Sequence, residues 1–247
     1  MTAPPRALRP QPAPDREGAR AIPALDAVVF DLDGTLWDST ATVARAWDAA
    51  VRRLHPRRPP VTQAAIAGVM GLAHADIARR IFPDLDPLER ERVIAACYRE
   101  EEARLRGQGG ALYPGVAAGL EQLAGRVPLF IVSNCQAGYI ETFLQWSGLG
   151  PRFRDHECHG RSGLGKRENL QALVGRQGLR RPLFVGDTAS DEEAARGAGV
   201  PFVHAAYGFG MAERPLARCA DFAAVVRFCL GSLPLEREPA SGAPQAG

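Results

Sequence analysis

The stretch VVFDLDGT, residues 28–35, decides how this chain folds. Its first three residues are apolar and favour β structure, and two carboxylates, Asp31 and Asp33, come directly after them. An unbroken apolar run of this kind is typical of a strand that is buried on both faces, as in a parallel sheet covered by helices. The sequence therefore predicts a central parallel strand that ends in a pair of acids.

Three further apolar runs alternate with helix-like segments, at residues 127–132, 182–185 and 200–203. This alternation predicts an α/β fold, a Rossmann-like parallel sheet with helices on both faces. Residues 38–112 hold several helix-like segments without a strong strand, which is too long for one crossover. We expect them to form an inserted α-helical cap subdomain, and we expect residues 25–37 and 113–232 to form the core.

The composition excludes several classes of protein. The chain has 247 residues, of which 46% are hydrophobic, and its net charge of +2 gives no reason to expect a nucleic-acid or membrane partner. Five scattered cysteines indicate free, mostly buried thiols in a reducing cytoplasm. Residues 1–24 and 233–247 are predicted to be disordered tails. The sequence does not indicate an oligomeric state.

Acidic residues follow two of the predicted strands. Asp31 and Asp33 end the first strand, and Asp187 and Asp191 lie in GDTASD, residues 186–191, after the run at 182–185. The carboxyl ends of parallel strands meet at one edge of a sheet, so these acids should converge. Mg²⁺ prefers such hard oxygen ligands. GDTASD alone would equally fit a capped helix start with solvated acids, whereas DxDGT directly after an apolar strand is much more specific.

Other polar groups are expected at the same edge. Ser133 and Asn134 follow the run at 127–132, where a hydroxyl and backbone amides at a helix start can bind a phosphate oxygen. Taken alone, this pair is more often just a turn and a cap. Thr35, after the turn at Gly34, offers hydroxyl and amide donors.

Lys166 is the only lysine in the chain, although lysine and arginine together number 30. A lysine ammonium is a compact point charge on a flexible stem, whereas a guanidinium is larger and planar. Clustered acids and a phosphate would make a strongly negative cleft, which Mg²⁺ offsets only in part. We therefore expect Lys166 to reach the acids and the phosphate; the alternative is a solvated surface lysine.

In chain order, DLDGTL, VSN, GK and GDTASD resemble the four motifs of the haloacid dehalogenase (HAD) superfamily of phosphohydrolases. The inserted helices resemble the first type of cap in that superfamily, as in phosphoglycolate phosphatase-like members. The resemblance covers about residues 26–205. One departure is Arg167, because many relatives have proline after the lysine.

The resemblance implies a Mg²⁺-dependent phosphatase that acts on a small phosphorylated metabolite through an aspartyl-phosphate. Asp31 would attack the phosphorus. Asp33 would protonate the leaving group and then accept a proton from water. Ser133 and Lys166 would hold the phosphoryl oxygens.

The resemblance also implies where the metal binds. Asp31, the main-chain carbonyl of Asp33 and Asp187 would hold Mg²⁺, and Asp191 would orient water at the ion. A cap residue, Gly71, is a candidate substrate-loop glycine.

Further candidate cap contacts to the substrate are Arg79, with His74 and Arg80. An arginine pair on a helix is more often solvated.

Several related functions are open or disfavoured. A sugar-phosphate mutase would use the same core residues, and a catalytically silent phosphate-binding protein would keep the same site without turnover. Asp33 argues against a dehalogenase. The absence of lysine from residues 38–112 disfavours phosphonate chemistry through a Schiff base. A phospho-accepting signalling domain would lack both the second aspartate and the large cap.

Overall fold

The computed structural model describes residues 24–72 and 74–233, without the side chains of His74 and Ala75. The predicted disordered tails therefore fall almost wholly outside the described residues. The strands are β1 (Ala27–Phe30), β2 (Trp37–Asp38), β3 (Ala111–Leu112), β4 (Leu129–Ser133), β5 (Phe153–Cys158), β6 (Pro182–Gly186), β7 (Phe202–Ala205) and β8 (Ala217–Cys219). The helices are α1 (Thr40–Leu54), α2 (Gln63–Ala67), α3 (His74–Ile81), α4 (Pro87–Gln108), α5 (Val116–Ala124), α6 (Tyr139–Ser147), α7 (His159–Ser162), α8 (Lys166–Arg176), α9 (Ala189–Ala198) and α10 (Phe222–Gly231).

The central sheet confirms the predicted Rossmann-like α/β fold. Its six strands run in the order β5-β4-β1-β6-β7-β8, and every neighbouring pair is parallel. Strand β1 lies between β4 and β6, so that Phe30 pairs with Ile131 on one side and with Val185 on the other. The polar residues that follow β1, β4 and β6 are thereby brought to one edge of the sheet.

Helices cover both faces of the sheet, as the apolar runs predict. Val28 and Phe30 of β1 belong to a large core cluster on one face, with residues of α1, α4, α5, α6 and α10. Ala27 and Val29 face the opposite way, into a second cluster with residues of α8 and α9. A strand with apolar residues on both faces needs such double cover, because each exposed apolar face would cost roughly 25 cal/mol per Å².

Two strands of the sheet lack the apolar signal by which the others were predicted. Strand β5 has the sequence FRDHEC and a mostly half-exposed pattern, and the short β8 also carries a charged residue. Both lie at the edges of the sheet, where polar residues are accommodated. The predicted runs at 127–132 and 200–203 appear as β4 and β7, each beginning two residues later.

The helical insertion follows β2 and ends at β3, and these two short strands pair antiparallel at its base, Trp37 opposite Leu112. Helices α1 and α4 carry Trp47 and Val93 into the same apolar cluster as one face of the sheet. The division of the chain at residues 38 and 112 remains a prediction. Among the described residues, none of the helices has the length and apolar character needed to cross a bilayer.

Candidate active site

The turn after β1 brings two loops into direct contact. Asp31 donates its backbone N–H to the carbonyl of Val185 on β6, at 2.8 Å. Gly34 has a positive φ of 85°, and a Cβ atom there would lie 2.2 Å from Oδ2 of Asp187. Only glycine fits this position, because any side chain would meet both strain and a carboxylate. The glycine of DLDGT thus lets the β1 and β6 loops touch.

Lys166 lies among the acids rather than in solvent. Its Nζ donates to Oδ1 of Asp31 at 2.6 Å and to Oδ1 of Asp191 at 2.5 Å. The three residues are only 5%, 3% and 0% exposed, respectively. Lys166 is the first residue of α8, where the helix dipole disfavours a cation, so the two carboxylates must hold it there.

The charges of this cluster are strongly coupled. Burial opposes the charged form of Lys166, but the attraction of Asp191 and Asp31 outweighs it and keeps the pKa of Lys166 above its ordinary value. Burial raises the pKa of Asp31 to about 7, against the lowering effect of Lys166. The ammonium therefore stays charged at neutral pH, while the carboxyl of Asp31 titrates near neutrality in the absence of a metal.

Asp191 is held by the loop that follows β6. Its Oδ2 accepts hydrogen bonds from the backbone N–H of Thr188 at 2.9 Å and from the hydroxyl of Thr188 at 2.6 Å. The same two residues form a capping box at the start of α9. Because Lys166 takes Oδ1, both oxygens of Asp191 are engaged within the protein.

Three carboxylates could hold a metal ion. Oxygens of Asp31, Asp187 and Asp191 lie within 4.8 Å of one another. Oδ1 of Asp187 is buried and has no hydrogen-bond partner among the described residues, although Oδ2 accepts the backbone N–H of Phe209 at 2.7 Å. Burial, then repulsion by Asp191 and Asp31, raises the pKa of Asp187 to about 8. A buried, unpartnered carboxylate oxygen beside other acids fits a hard divalent cation.

Asp33 lies in a different setting from Asp31. Its Oδ1 accepts hydrogen bonds from the hydroxyl of Ser39 at 2.7 Å and from the hydroxyl of Tyr139 at 2.9 Å. Burial raises the pKa of Asp33 to about 6, against the lowering effect of these hydrogen bonds. The two hydroxyls fix the orientation of a carboxyl group that can carry a proton close to neutral pH.

A cavity of about 60 Å³ lies between the insertion and the sheet. We use the name sheet rim for the site residues at the carboxyl edge of the sheet: Asp31, Asp33, Ser133, Lys166, Asp187 and Asp191. Of these, Asp31, Asp33 and Ser133 line the cavity, and Asn134 lies beside them. We call the opposite side the cap wall, defined as the lining residues of the insertion: Val43, Trp47, Ile66, Val69, Met70, Gly71, Leu72, Ile77, Tyr98 and Glu101.

Hydrogen bonds join the two sides of the cavity. Asn134 Nδ2 donates to the carbonyl of Gly71 at 3.0 Å, and Gln136 Nε2 donates to Oε1 of Glu101 at 2.7 Å. Gly71 has a positive φ of 78°, and a Cβ there would lie 3.2 Å from the methyl group of Thr188. The segment at Gly71 thus approaches the β6 loop as well as the β4 loop.

The structure does not place the remaining predicted site residues in the lining of the cavity. Thr35 is fully buried, its Oγ1 has no partner among the described residues, and it does not line the cavity. Arg79 is not brought to the cavity: its side chain is 61% exposed and pairs with Asp76 three residues earlier on the outer face of α3. Arg80 is likewise exposed. The side chain of His74 is outside the described part of the chain.

Sequence reasoning missed most of the residues that line this cavity, among them the polar residues Glu101, Gln136 and Tyr139. Gln136 and Tyr139 carry no local motif that separates them from other residues near a helix start. Glu101 lies in an acidic run that resembles a solvated helix face. A signal was nevertheless present, because buried positions of α4 recur every four residues at Val93, Cys97, Glu101 and Leu105.

Comparison with known proteins agrees with this geometry. A family model described as haloacid dehalogenase-like hydrolase matches residues 25–199. A phosphoglycolate phosphatase from Synechococcus elongatus is 33% identical over 204 residues, which are 80% of this chain and 92% of that protein. A plasmid-encoded phosphoglycolate phosphatase from Cupriavidus necator is 30% identical over 242 residues, or 89% of this chain and 96% of that protein.

Solved structures show the same fold. The haloacid dehalogenase-like family protein SP0104 from Streptococcus pneumoniae superposes with a TM-score of 0.73 at 20% identity, and the match covers 83% of this chain and 98% of that one. The motif residues, the sheet and the sequence relatives therefore agree. This chain belongs to the haloacid dehalogenase-like hydrolase family of enzymes.

Proposed function

We propose that the protein is a Mg²⁺-dependent phosphatase that hydrolyses a small phosphorylated metabolite through a phosphorylated Asp31. The observation that carries this proposal is the buried ammonium of Lys166 held between Asp31 and Asp191, beside the unpartnered oxygen of Asp187. Such an arrangement has fixed positive charge where a phosphoryl dianion would lie, and a nucleophilic oxygen next to it. The sequence relatives named phosphoglycolate phosphatase support the same reaction class.

Two adjacent carboxyl groups have separate roles in the reaction, Asp31 as the nucleophile and Asp33 as the acid and base. An oxygen of Asp31 attacks the phosphorus, and the bond from phosphorus to the ester oxygen breaks while Asp33 donates its proton to that oxygen. A water molecule then attacks the phosphorus of the aspartyl-phosphate and gives its proton to Asp33, which releases phosphate and restores Asp31. The pKa of Asp33, raised to about 6 by burial, suits a group that both gives and takes a proton.

The remaining rim residues would neutralise the negative charge of the phosphoryl group or position the groups that do so. The carboxylates of Asp31 and Asp187, with the main-chain carbonyl of Asp33, would hold Mg²⁺, which when bound would neutralise charge on the phosphoryl group. Lys166 contributes its ammonium to the same group, and Ser133 offers a hydroxyl from the floor of the cavity. Asp191 positions Lys166, because its oxygens are already engaged by that ammonium and by Thr188.

The insertion acts as a cap that excludes water and selects the substrate. Its closure is supported by the hydrogen bonds of Asn134 to Gly71 and of Gln136 to Glu101. The small cavity suits a small metabolite. We also propose that the enzyme works in the cytoplasm, where its five buried, free cysteines would stay reduced.

Hydrolysis of p-nitrophenyl phosphate by the purified chain, with Mg²⁺ or with a chelator, tests this function. We expect release of free phosphate that requires Mg²⁺ and no bisphosphate activator. Turnover that depends on a bisphosphate would support a sugar-phosphate mutase instead. Phosphate binding without hydrolysis of this or any small monoester would indicate a catalytically silent protein and contradict the proposal.

A further inference from the structure

The cap wall contains one charged side chain among its described residues, and it is an acid. Glu101 of α4 is only 4% exposed and lines the same cavity as Asp31 and Asp33. Its Oε2 accepts the indole N–H of Trp47 at 2.5 Å, and its Oε1 accepts the amide of Gln136 at 2.7 Å. Both partners are neutral donors, so they orient the carboxylate without balancing its charge.

No lysine, arginine or histidine is among the described residues that line this cavity. A leaving group with its own carboxylate would therefore enter a space already bordered by Glu101, Asp31 and Asp33, with no cation on the wall to receive it. A further buried carboxylate there would be strongly disfavoured unless it were paired. A hydroxyl or ammonium group would instead find an oriented acceptor, because each oxygen of Glu101 can accept a second hydrogen bond.

The rest of the cap wall is suited to contact the carbon atoms of a leaving group. Apart from Gly71 and the aromatic side chains of Trp47 and Tyr98, it is lined by aliphatic and thioether side chains: Val43, Ile66, Val69, Met70, Leu72 and Ile77. Burial raises the pKa of Glu101 to about 7, against the lowering effect of its hydrogen bonds from Gln136 and Trp47. The carboxyl group is thus destabilised as an isolated anion, and a bound donor, above all a cationic one, would favour its charged form.

From these contacts we propose that Glu101 selects the substrate, and that the substrate is a phosphate monoester whose short carbon leaving group ends in a hydrogen-bond donor, an ammonium or a hydroxyl, rather than in a carboxylate. This inference rests on the proposed phosphatase function. It departs from the substrate in the names of the sequence relatives, because phosphoglycolate carries a carboxylate.

A matched series of two-carbon monoesters tests the inference: O-phosphoethanolamine, 2-hydroxyethyl phosphate, ethyl phosphate and 2-phosphoglycolate. We expect the wild-type kcat/KM for the amine or the hydroxyl to exceed that for 2-phosphoglycolate at least tenfold. The Glu101→Gln variant should lose about 10- to 100-fold on O-phosphoethanolamine, the effect of one hydrogen bond between charged groups. It should gain on 2-phosphoglycolate and stay within about threefold on ethyl phosphate, which has no donor.

Controls separate substrate selection from a structural role. Glu102→Gln changes the next carboxylate of α4, which is 43% exposed and pairs with Arg106, and should leave all four rates unchanged. Thermal unfolding checks that Glu101→Gln is folded. Equal losses on all four esters in Glu101→Gln would overturn the inference, because a structural role lowers every rate alike.

Two other outcomes would also overturn it. One is a wild-type preference for 2-phosphoglycolate, above all if His74→Ala removes that preference, since His74 would then be the missing cation. The other is hydrolysis of p-nitrophenyl phosphate with none of the four esters accepted. Failure to hydrolyse p-nitrophenyl phosphate as well would instead contradict the proposed function itself.

Discussion

The sheet rim and the cap wall meet at one cavity, which Asp31, Asp33 and Ser133 of the rim line, but the two groups of residues are encoded differently in the sequence. Rim acids come from contiguous motifs at strand ends, where the parallel sheet fixes the backbone and places Asp31 beside Lys166 at 2.6 Å. Wall residues come from separate helices and from the segment between α2 and α3, and Glu101 is the one charged residue among them. Reaction type should therefore reside in the rim and substrate choice in the wall. Rim substitutions should slow every monoester, and wall substitutions should change the ratio between monoesters.

The largest expected effect comes from the rim nucleophile. Asp31→Asn removes the attacking oxygen while keeping the size of the side chain, so kcat for p-nitrophenyl phosphate should fall at least about 10⁴-fold, as for other nucleophile deletions. Circular dichroism should show an unchanged fold. Activity within tenfold of wild type would remove Asp31 as the nucleophile.

The next largest effect on activity is expected when the ammonium of Lys166 is replaced by a guanidinium. Lys166→Arg conserves charge, but the larger planar guanidinium does not fit the buried position between Asp31 and Asp191, so kcat should fall about 10²- to 10³-fold on every monoester. Arg167→Lys is the matched control, because the neighbouring guanidinium is 58% exposed and pairs with Glu168. Steady-state kinetics on both variants make the comparison, and near-normal rates for Lys166→Arg would argue against the proposed role of the ammonium.

A smaller effect on activity is expected where the cap wall approaches the loop that follows β6. Gly71→Ala introduces a side chain at a φ of 78°, with Cβ 3.2 Å from the methyl group of Thr188. Strain of roughly 1–2 kcal/mol should lower kcat/KM by about tenfold by opposing closure. Arg79→Ala, on the exposed outer face of α3, should stay within about twofold. If kcat/KM fell equally in the two variants, Arg79 would have to contact the substrate, contrary to its exposed position.

The smallest expected effect is on stability. The pKa of Asp187 is raised from 3.8 to about 8, so the unfolded chain releases this proton first and the metal-free protein should lose stability as pH rises between those values. Asp31, Asp33 and Glu101 titrate in the same direction. At about pH 8, Mg²⁺ at a hundredfold excess over its dissociation constant should raise the Tm by about 5–10 °C.

The matched variant for this measurement is Asp187→Asn, which keeps the size of the side chain but cannot ionise. Its Tm should fall less steeply with pH, and its response to Mg²⁺ should be much smaller. Differential scanning calorimetry at two pH values gives both quantities. An unchanged magnesium response would exclude Asp187 from the metal site.

The difference between rim and wall also explains what the sequence could predict. The fold follows from apolar strands around DLDGT, and the convergence of Asp31 and Asp187 follows from parallel topology. The position of Lys166 was expected from the need to balance clustered acids. The edge strand β5 was not predicted because its residues are polar. Glu101 and Tyr139 were not predicted as site residues, because their approach to the site depends on how helices pack. No local spacing in the sequence specifies that packing. The exposed position of Arg79 could not be predicted for the same reason, since the orientation of α3 decides which face meets the cavity.

The most direct test of the account is the identity of the phosphorylated residue. Asp33→Asn should still be phosphorylated by p-nitrophenyl phosphate, whose leaving group needs no proton, but should hydrolyse the intermediate slowly for lack of a base. We predict a burst of about one equivalent of p-nitrophenol and, after acid quenching, a phosphoryl group on the Asp31 peptide by mass spectrometry. A burst without a phosphoryl group on Asp31, or with one on another residue, would contradict the account.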